Sequence, residues 1–180
     1  MHVPPAQHPS REREKAEYDL HENEVEDPGY RRFLSRLAEP LLQRIGPPAR
    51  GLDFGCGPGP ALAAMLEEAG FTMELYDPFY YPDAGVLQSP KDFIVATEVL
   101  EHLARPGEVL EQLWQLLEPG GWLGIMTRRL PEESEFAQWR YRRDITHICF
   151  FHEETFRWLA RRWGAELVLE GTDVALMRKG

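Results

Sequence analysis

A glycine-rich turn constrains this chain more than any other feature of its sequence. The turn reads Leu52-Asp53-Phe54-Gly55-Cys56-Gly57-Pro58-Gly59-Pro60 and belongs to an apolar run that begins at residue 49. Glycine allows backbone N–H groups to approach a ligand closely and allows a positive φ. A helix that begins directly after such a turn adds the positive end of its dipole. The segment therefore predicts a ligand site where a buried strand passes into a helix.

The rest of the chain alternates between strand and helix patterns. Short apolar runs predict strands at 49–54, 71–76, 92–97 and 122–127. Apolar residues spaced three and four apart predict helices at 30–45, 58–69, 107–117 and 153–163. Two closing runs, 166–170 and 173–178, predict a hairpin because Gly171 and Thr172 link them. This alternation is typical of an α/β domain with a parallel sheet and helices on both faces.

Size and charge exclude several classes of protein. The chain has 180 residues, of which 43% are hydrophobic, enough for the core of one domain. Its net charge of −10 would repel a phosphate backbone, so nucleic acid is not an expected general partner. Two cysteines, Cys56 and Cys149, are too few for a disulfide framework and indicate a reducing, cytoplasmic location. Neither a membrane-spanning run nor a signal peptide is recognisable, so no membrane partner is expected.

Residues 1–29 differ in composition from the remainder of the chain. Between residues 11 and 27 there are eight acidic and three basic side chains, a net charge of −5, and few apolar ones. Such a segment predicts a solvated acidic arm, partly disordered or partly helical. Asp27, Pro28 and Gly29 form a turn signal, so we predict that the folded domain comprises residues 30–180.

Two acidic residues indicate which ligand the glycine turn holds. A dinucleotide site has the spacing G-x-G-x-x-G, whereas the spacing here is G-x-G-x-G and residue 60 is proline. Asp53 would repel a pyrophosphate but suits an ammonium group. Asp77 lies at the end of the next strand, 22 residues past Gly55, where an acid can accept both hydroxyls of a ribose. Together these residues favour S-adenosylmethionine over a dinucleotide.

Two further segments extend this pattern into a resemblance to a known family. They are 93–103, which contains Glu-Val-Leu-Glu-His, and 117–123, which contains Pro-Gly-Gly. Together with the glycine turn and Asp77, they resemble the class I S-adenosylmethionine-dependent methyltransferases from about residue 30 to the C-terminus. The resemblance implies a Rossmann-like, doubly wound sheet of seven strands, mostly parallel with an antiparallel C-terminal strand. The predicted hairpin agrees with this.

The chain departs from the family in one place. Only 14 residues separate Asp77 from Asp92, so the third strand of the family and its helix are expected to be shortened or missing. That region normally supplies the adenine pocket, which we assign here to Val86, Leu87 and Gln88.

The resemblance also implies a set of cofactor-binding residues. They are Asp53, Phe54, Gly55, Cys56, Gly57, Gly59, Asp77, Pro78, Thr97 and Glu98. We assign no reactive role to the thiol of Cys56, which we expect to be a packing residue. His102 is likewise interpreted as a packing residue, and no His, Cys, Asp or Glu spacing predicts a metal site.

The long loop between Thr127 and His152 is the predicted acceptor region, because loops of this length in compact domains are usually functional. It contains arginines for an anionic group and aromatic residues for a flat one: Arg128, Arg129, Arg140, Arg142, Arg143, Trp139 and Tyr141. Transfer of a methyl group to a hydroxyl, amine or thiol also requires a base. We predict His147 as that base, with Asp144 or Tyr141 as orienting or alternative groups.

Three readings of the activity remain open from the sequence. The first is a methyltransferase acting on a small molecule, which the compact size favours. The second is a methyltransferase acting on RNA or protein through the Arg128–Arg143 loop, whose arginines could equally form a surface that offsets the acidic arm. The third is a module that binds S-adenosylmethionine without catalysis. The sequence does not specify the acceptor atom or the oligomeric state.

Overall fold

Six strands form one sheet in the computed structural model, which describes residues 1–20 and 24–180. The strands are β1 (Arg50–Phe54), β2 (Thr72–Tyr76), β3 (Lys91–Thr97), β4 (Leu117–Met126), β5 (Glu166–Glu170) and β6 (Val174–Arg178). Their order across the sheet is β2-β1-β3-β4-β6-β5. The first four strands in this order, β2, β1, β3 and β4, pair in parallel, and β6 is antiparallel to both of its neighbours. The predicted fold class, including the antiparallel C-terminal strand, is confirmed.

Helices cover both faces of this sheet. They are α1 (Arg11–Tyr18), α2 (Pro28–Leu42), α3 (Ala61–Glu68), α4 (Pro106–Leu116) and α5 (Glu153–Trp163). Side chains alternate along a strand, and β3 shows the consequence. Phe93 and Val95 pack against α2 and α3, whereas Ile94 and Ala96 pack against α4 and α5. The sheet is therefore the middle of three layers, with a buried core on each side.

The sheet has six strands in the described part of the chain, not the seven that the family resemblance implies. A short 3₁₀ turn, Ala84–Gln88, occupies the segment between β2 and β3. A parallel crossover requires about a dozen or more residues, so this segment has no room for an additional strand and helix. The shortening expected from the sequence is thus confirmed, and β2 becomes the edge of the sheet.

The start of β4 differs from the prediction. Pro119, Gly120 and Gly121 were expected to separate a helix from a strand that begins at Trp122, but β4 already begins at Leu117. Leu117 pairs with Lys91 and Trp122 pairs with Phe93, so the register shifts between these pairs. Gly120 has a φ of 80° within this irregularity. The glycines therefore form a bulge in the strand and do not end it.

The N-terminal segment packs on the domain. The backbones of Met1 and Phe150 exchange two hydrogen bonds, each of 2.8 Å, and the N–H of Val3 donates to the carbonyl of Ile148 at 2.8 Å. Ser10 caps the N-terminus of α1. The predicted arm, residues 1–29, thus contains a helix that lies against the remainder of the chain. The part of this prediction that concerns His21, Glu22 and Asn23 lies outside the described residues.

Among residues 1–20 and 24–180, no helix combines the length and the apolar character that crossing a bilayer requires.

The topology determines where a ligand can bind. After β1 the chain turns to β2 on one side, and it then returns to form β3 on the other side of β1. In open α/β sheets, a crevice forms at the carboxyl ends of the strands where the order reverses in this way. Here that position lies between the glycine turn after β1 and the residues that follow Thr97 at the end of β3.

Candidate functional site

A cavity of about 580 Å³ lies at this switch point. Its volume is within the range of about 300–1,000 Å³ that is typical of small-molecule sites. One wall consists of the glycine turn and the end of β2, a second of residues that follow β3, and a third of α1 and α2. The lining residues are Glu14, Tyr18, Tyr30, Phe33, Leu34, Phe54, Gly55, Cys56, Gly57, Pro58, Tyr76, Asp77, Pro78, Phe79, Tyr80, Thr97, Glu98, Val99, His102, Leu103, Asp144 and His147.

The glycine turn adopts a backbone conformation that other residues rarely accept. Gly55 has a φ of 74° and Gly57 a φ of 65°. The N–H of Gly55 donates to the carbonyl of Tyr76 at 2.7 Å, which fixes the turn to the end of β2. An added Cβ at Gly55 would overlap with the side chain of Val99, whereas one at Gly57 would meet open space. Gly55 is therefore required for packing, and Gly57 presents its backbone to the cavity.

Asp77 joins the glycine turn to the segment after β2. Its Oδ2 accepts a hydrogen bond of 3.0 Å from the N–H of Gly57. Its Oδ1 accepts bonds from the N–H groups of Phe79 and Tyr80, at 2.8 and 3.1 Å. Each carboxylate oxygen has two lone pairs, so Oδ1 is fully used and Oδ2 can accept one more hydrogen bond from a ligand hydroxyl. Asp77 thus shapes the loop and lines the cavity at the same time.

Asp53 is placed behind the turn, outside the residues that line the cavity. It is 2% exposed, and the backbone N–H of Ala63, in the first turn of α3, partly offsets the effect of this burial on its pKa. Its Oδ1 has no hydrogen-bond partner in the described part of the chain. Burial raises the pKa of Asp53 to about 7, and the charge of Asp77 adds to this effect. Asp53 therefore sits between the start of α3 and the glycine turn.

Glu98 begins the wall that follows β3. It has a φ of 52°, the single positive φ of a non-glycine residue in the described part of the chain, and its N–H donates to the carbonyl of Met126 at 2.7 Å. Residues in this strained conformation persist where the surrounding structure holds them, frequently at functional sites. Burial, together with the nearby Glu101 carboxylate, raises the pKa of Glu98 to about 8.

Tyr141 does not line the cavity, but it connects two of the carboxylates beside it. Its hydroxyl donates to Oε1 of Glu101 and also lies 3.2 Å from Oε2 of Glu98. The other oxygen of Glu101 accepts a bond of 2.8 Å from the Thr127 hydroxyl. Burial and these carboxylates raise the pKa of Tyr141 above its usual range, so the phenol stays protonated.

His102 and His147 lie side by side, with ring centroids 4.8 Å apart. The Nδ1 of His147 is 2.7 Å from the carbonyl oxygen of Tyr141, and Oδ2 of Asp144 lies 3.8 Å from its Nε2. Burial lowers the pKa of His102. Hydrogen bonds from Thr146 lower the pKa of Asp144 despite the opposing effect of its burial. The predicted pair His147 and Asp144 is thus brought together at the cavity, where His102, interpreted from sequence as a packing residue, joins it.

The cavity contains most of the residues predicted to bind the cofactor. Eight of the ten line it: Phe54, Gly55, Cys56, Gly57, Asp77, Pro78, Thr97 and Glu98. Asp53 and Gly59 lie outside its lining. Val86 and Leu87 pack against the core on the α4 and α5 side, and neither they nor Gln88 line the cavity. Burial raises the pKa of the Cys56 thiol, which fits a packing role.

None of the arginines of the long loop is among the described residues that line the cavity. The guanidinium of Arg129 donates to the carbonyl of Val174 at 2.7 Å, and that of Arg142 donates to the carbonyl of Ala137. Arg128 and Arg129 instead line a second depression, which also contains four carboxylates: Glu132, Glu135, Glu153 and Glu154. In the described part of the chain the loop therefore contributes Asp144 and His147 to the cavity, and none of its arginines.

Sequence reasoning missed the aromatic wall of the cavity. Tyr18 comes from α1, Tyr30 and Phe33 from α2, and Phe79 and Tyr80 from the segment after Asp77. Tyr18 is edge-on to Phe79, with centroids 5.8 Å apart. The apolar spacing in α2 indicated a buried face, but which of its residues border a cavity depends on packing that spacing does not determine.

The sheet order, the glycine turn and the cavity together define the class I methyltransferase architecture. A family model described as a methyltransferase domain matches residues 28–170. This chain therefore belongs to that methyltransferase family, and its fold is that of the class I S-adenosylmethionine-dependent enzymes.

Known proteins are similar to this chain in sequence or in fold. The ubiquinone biosynthesis O-methyltransferase of Caulobacter vibrioides is 33% identical over 78 residues, which are 43% of this chain and only 23% of that protein. An S-adenosylmethionine-dependent methyltransferase from Archaeoglobus fulgidus has a TM-score of 0.62 at 16% identity, covering 82% of this chain and 93% of that one. Human N-acetylserotonin methyltransferase, solved in complex with S-adenosylmethionine, has a TM-score of 0.59 at 15% identity, covering 82% and 51%. At these identities the two structures support the fold alone.

Proposed function

We propose that this protein binds S-adenosylmethionine in the 580 Å³ cavity and transfers its methyl group to a small molecule. The observation that carries this proposal is the arrangement of the cavity walls. The glycine turn and Asp77 form one wall, whereas Glu98, Asp144 and His147 come from other segments around the same cavity. A cofactor that extends from this wall to those segments would present its sulfonium to the second group.

The cofactor side has the groups that a nucleoside with an amino-acid tail requires. Asp77 lies at the end of β2, where an acid can accept ribose hydroxyls, and its Oδ2 retains one free lone pair. Gly57 offers a backbone surface without a side chain. Asp53 lies behind the turn, so we propose that it acts on the cofactor indirectly, through the backbone that it supports. Gly59 also lies outside the lining, and we propose that it too acts through the conformation of the turn.

The acceptor side favours a flat molecule of low polarity. Tyr18, Tyr30 and Phe79 contribute aromatic surface, and within the described residues no lysine or arginine lines the cavity. An anionic acceptor would lack a cationic partner there. The similarity to an O-methyltransferase, although it spans 23% of that protein, supports a hydroxyl as the acceptor group. We therefore propose an aromatic or similarly flat alcohol or phenol.

The reaction requires alignment of the acceptor and removal of one proton. The acceptor oxygen displaces the neutral thioether from the methyl carbon in line, so the protein has mainly to position the two and exclude water. Charge disperses as the sulfonium is consumed, and a cavity less polar than water favours that change. We propose that the acceptor proton passes to Nε2 of His147, because the Nδ1 of this ring faces a carbonyl oxygen and must carry hydrogen.

A direct transfer assay tests this proposal. Radiolabelled S-adenosylmethionine is supplied with a panel of small phenols and alcohols, and product is counted for the wild type and His147→Ala. We expect transfer to at least one phenol, with a loss of roughly 10²–10⁴-fold in the variant. The His152→Asn variant, which changes a histidine outside the cavity and retains a side chain suited to capping α5, is the control. Tight binding of the cofactor without transfer to any acceptor, including RNA and protein, would instead identify a non-catalytic module.

A further inference from the structure

We propose that Glu101, His102 and His147 bind a divalent cation next to the acceptor side of the cavity. One ligand atom from each of these residues lies within 4.8 Å of those of the other two. The first two residues belong to the 3₁₀ turn after β3, and His147 comes from the loop before α5. His147 lies 45 residues after His102 in the sequence, so spacing alone could not predict the cluster.

The hydrogen bonds of both imidazoles prepare them to bind a cation. Nδ1 of His102 is 3.1 Å from the carbonyl oxygen of Thr146, and Nδ1 of His147 is 2.7 Å from that of Tyr141. A carbonyl oxygen can only accept, so each Nδ1 carries hydrogen and each Nε2 keeps its lone pair. Metal-binding histidines almost always have this arrangement, because the bond from the second nitrogen fixes the ring and its tautomer.

The carboxyl group of Glu101 is buried without a lysine or arginine partner in the described part of the chain. Glu101 is fully buried, and its oxygens accept hydrogen bonds from the hydroxyls of Thr127 and Tyr141. Within residues 1–20 and 24–180, neither Glu101 nor Glu98 forms an ion pair with lysine or arginine. Arg36, whose charge acts on Glu98, pairs with Asp173 at 2.6 Å. Buried charges are usually paired or bound to a metal, and a cation here would satisfy that requirement.

Backbone contacts hold the two parts of the cluster at a fixed separation. The N–H groups of Ile148 and Cys149 both donate to the carbonyl of Glu101, at 2.8 and 2.9 Å. His147 directly precedes this contact, so its ring is anchored beside Glu101 and His102. A site assembled in advance in this way loses little conformational freedom when it binds an ion.

The ligand set indicates which ions would bind. Two imidazole nitrogens and one carboxylate oxygen suit first-row divalent ions such as Mn²⁺, Co²⁺ or Zn²⁺ better than Ca²⁺. Three protein ligands leave positions open for water or for an acceptor hydroxyl. The catalytic part of this inference rests on the proposed function: a bound cation would lower the pKa of the acceptor hydroxyl, His147 would hold the ion, and the hydroxyl proton would pass to the carboxylate of Asp144, which lines the same cavity.

Metal binding can be measured without any methyl acceptor. The full chain is treated with EDTA, dialysed and titrated with MnCl₂, and free Mn²⁺ is counted by electron paramagnetic resonance. We expect one equivalent to bind, and His102→Gln and His147→Gln to weaken binding by at least about tenfold. His152→Asn should bind as the wild type does. Equal affinity in all four proteins, or an absence of binding at about millimolar Mn²⁺ in the wild type, would overturn the proposal.

Two further measurements separate this proposal from the proposed function. Co²⁺ added to the wild type should give the intense visible bands of a four- or five-coordinate site. This measurement does not depend on whether any variant folds. The weak spectrum of the hydrated ion would count against the site. Transfer that continues at full rate in EDTA would exclude a catalytic ion and leave His147 as the base. Metal binding without transfer to any acceptor would support the site while contradicting the proposed function.

Discussion

The ring of Tyr18 stands edge-on to the ring of His102, with centroids 5.3 Å apart and planes at 87°. Tyr18 belongs to α1, which lies in the acidic N-terminal segment, and His102 belongs to the turn after β3. The N-terminal helix therefore covers the cavity and contacts the side on which we place the methyl acceptor. A segment with no buried residue of its own thus becomes part of the site.

Removal of the Tyr18 ring should open the cavity. Each aromatic edge-to-face contact contributes about 0.5–1.5 kcal/mol, and Tyr18 makes such contacts with His102 and Phe79. We expect Tyr18→Ala to weaken binding of S-adenosylhomocysteine or of the acceptor by roughly tenfold in titration calorimetry. Tyr18→Phe keeps the ring and loses only the hydrogen bond to Glu14, so it should bind nearly as the wild type does. Equal affinity of all three proteins would mean that α1 is not a wall of the site.

The two turn glycines should respond differently to alanine. Both have a positive φ, which costs other residues about 1–2 kcal/mol. Gly55→Ala also creates an overlap with Val99, so it should lower the thermal unfolding midpoint more than Gly57→Ala does. At Gly57 the added methyl group meets open space in the cavity, so this variant should fold and lose cofactor affinity. A Gly57→Ala protein with unchanged affinity would place the cofactor elsewhere.

Stability should depend on pH through Asp53. Its pKa is about 7 in the folded protein, against an ordinary value of 3.8 for a free aspartate side chain. Between these values the folded state keeps a proton that the unfolded state has released. The free energy of unfolding therefore contains a contribution that is complete below about pH 4 and lost as pH rises through 7, at most about 4 kcal/mol.

Asp53→Asn removes this titration while keeping a side chain of similar shape. Relative to the wild type, its free energy of unfolding should increase from pH 5 to pH 8, measured by urea denaturation without ligand. A difference between the two proteins that does not change with pH would show that Asp53 is ionised in the folded state.

The Tyr141 hydroxyl should contribute to stability. Tyr141→Phe leaves the buried Glu101 without one of its two hydroxyl donors, and hydrogen bonds to charged groups contribute about 1.5–3 kcal/mol. We expect a loss of that size in denaturant unfolding. Tyr30→Phe, whose hydroxyl does not join two carboxylates, is the matched control and should change stability by less than about 0.5 kcal/mol. Equal effects of the two substitutions would contradict the importance of the Glu98–Tyr141–Glu101 contact.

Local patterns predicted much of the fold. Helix α5 has the predicted bounds, Glu153–Trp163, because its apolar spacing is regular and Gly164 ends it in a left-handed conformation. The strand bounds at β1, β2 and β3 agree within one residue. Helix α3 begins at Ala61, three residues later than predicted. Pro58 and Pro60 are compatible both with a loop and with the first turn of a helix, so the sequence did not distinguish the two.

The site was predictable where it follows one strand and not where distant segments meet. The glycine turn and Asp77 were recognised because each lies directly after a strand, at the sheet edge where ligands bind. The covering by α1, and the contact of His102 with His147, arise from packing between segments that are far apart in sequence. Charge along the loop likewise did not reveal that its arginines are absent from the described lining of the cavity, or that Arg129 donates to the carbonyl of Val174.

The central claim is that the cavity after β1 and β3 holds S-adenosylmethionine, and titration calorimetry with S-adenosylhomocysteine tests it most directly. We predict one site per chain with micromolar affinity, weakened at least about tenfold by Asp77→Asn, and no heat with a nicotinamide dinucleotide. No heat with S-adenosylhomocysteine at millimolar concentration, together with tight binding of the dinucleotide, would contradict the account.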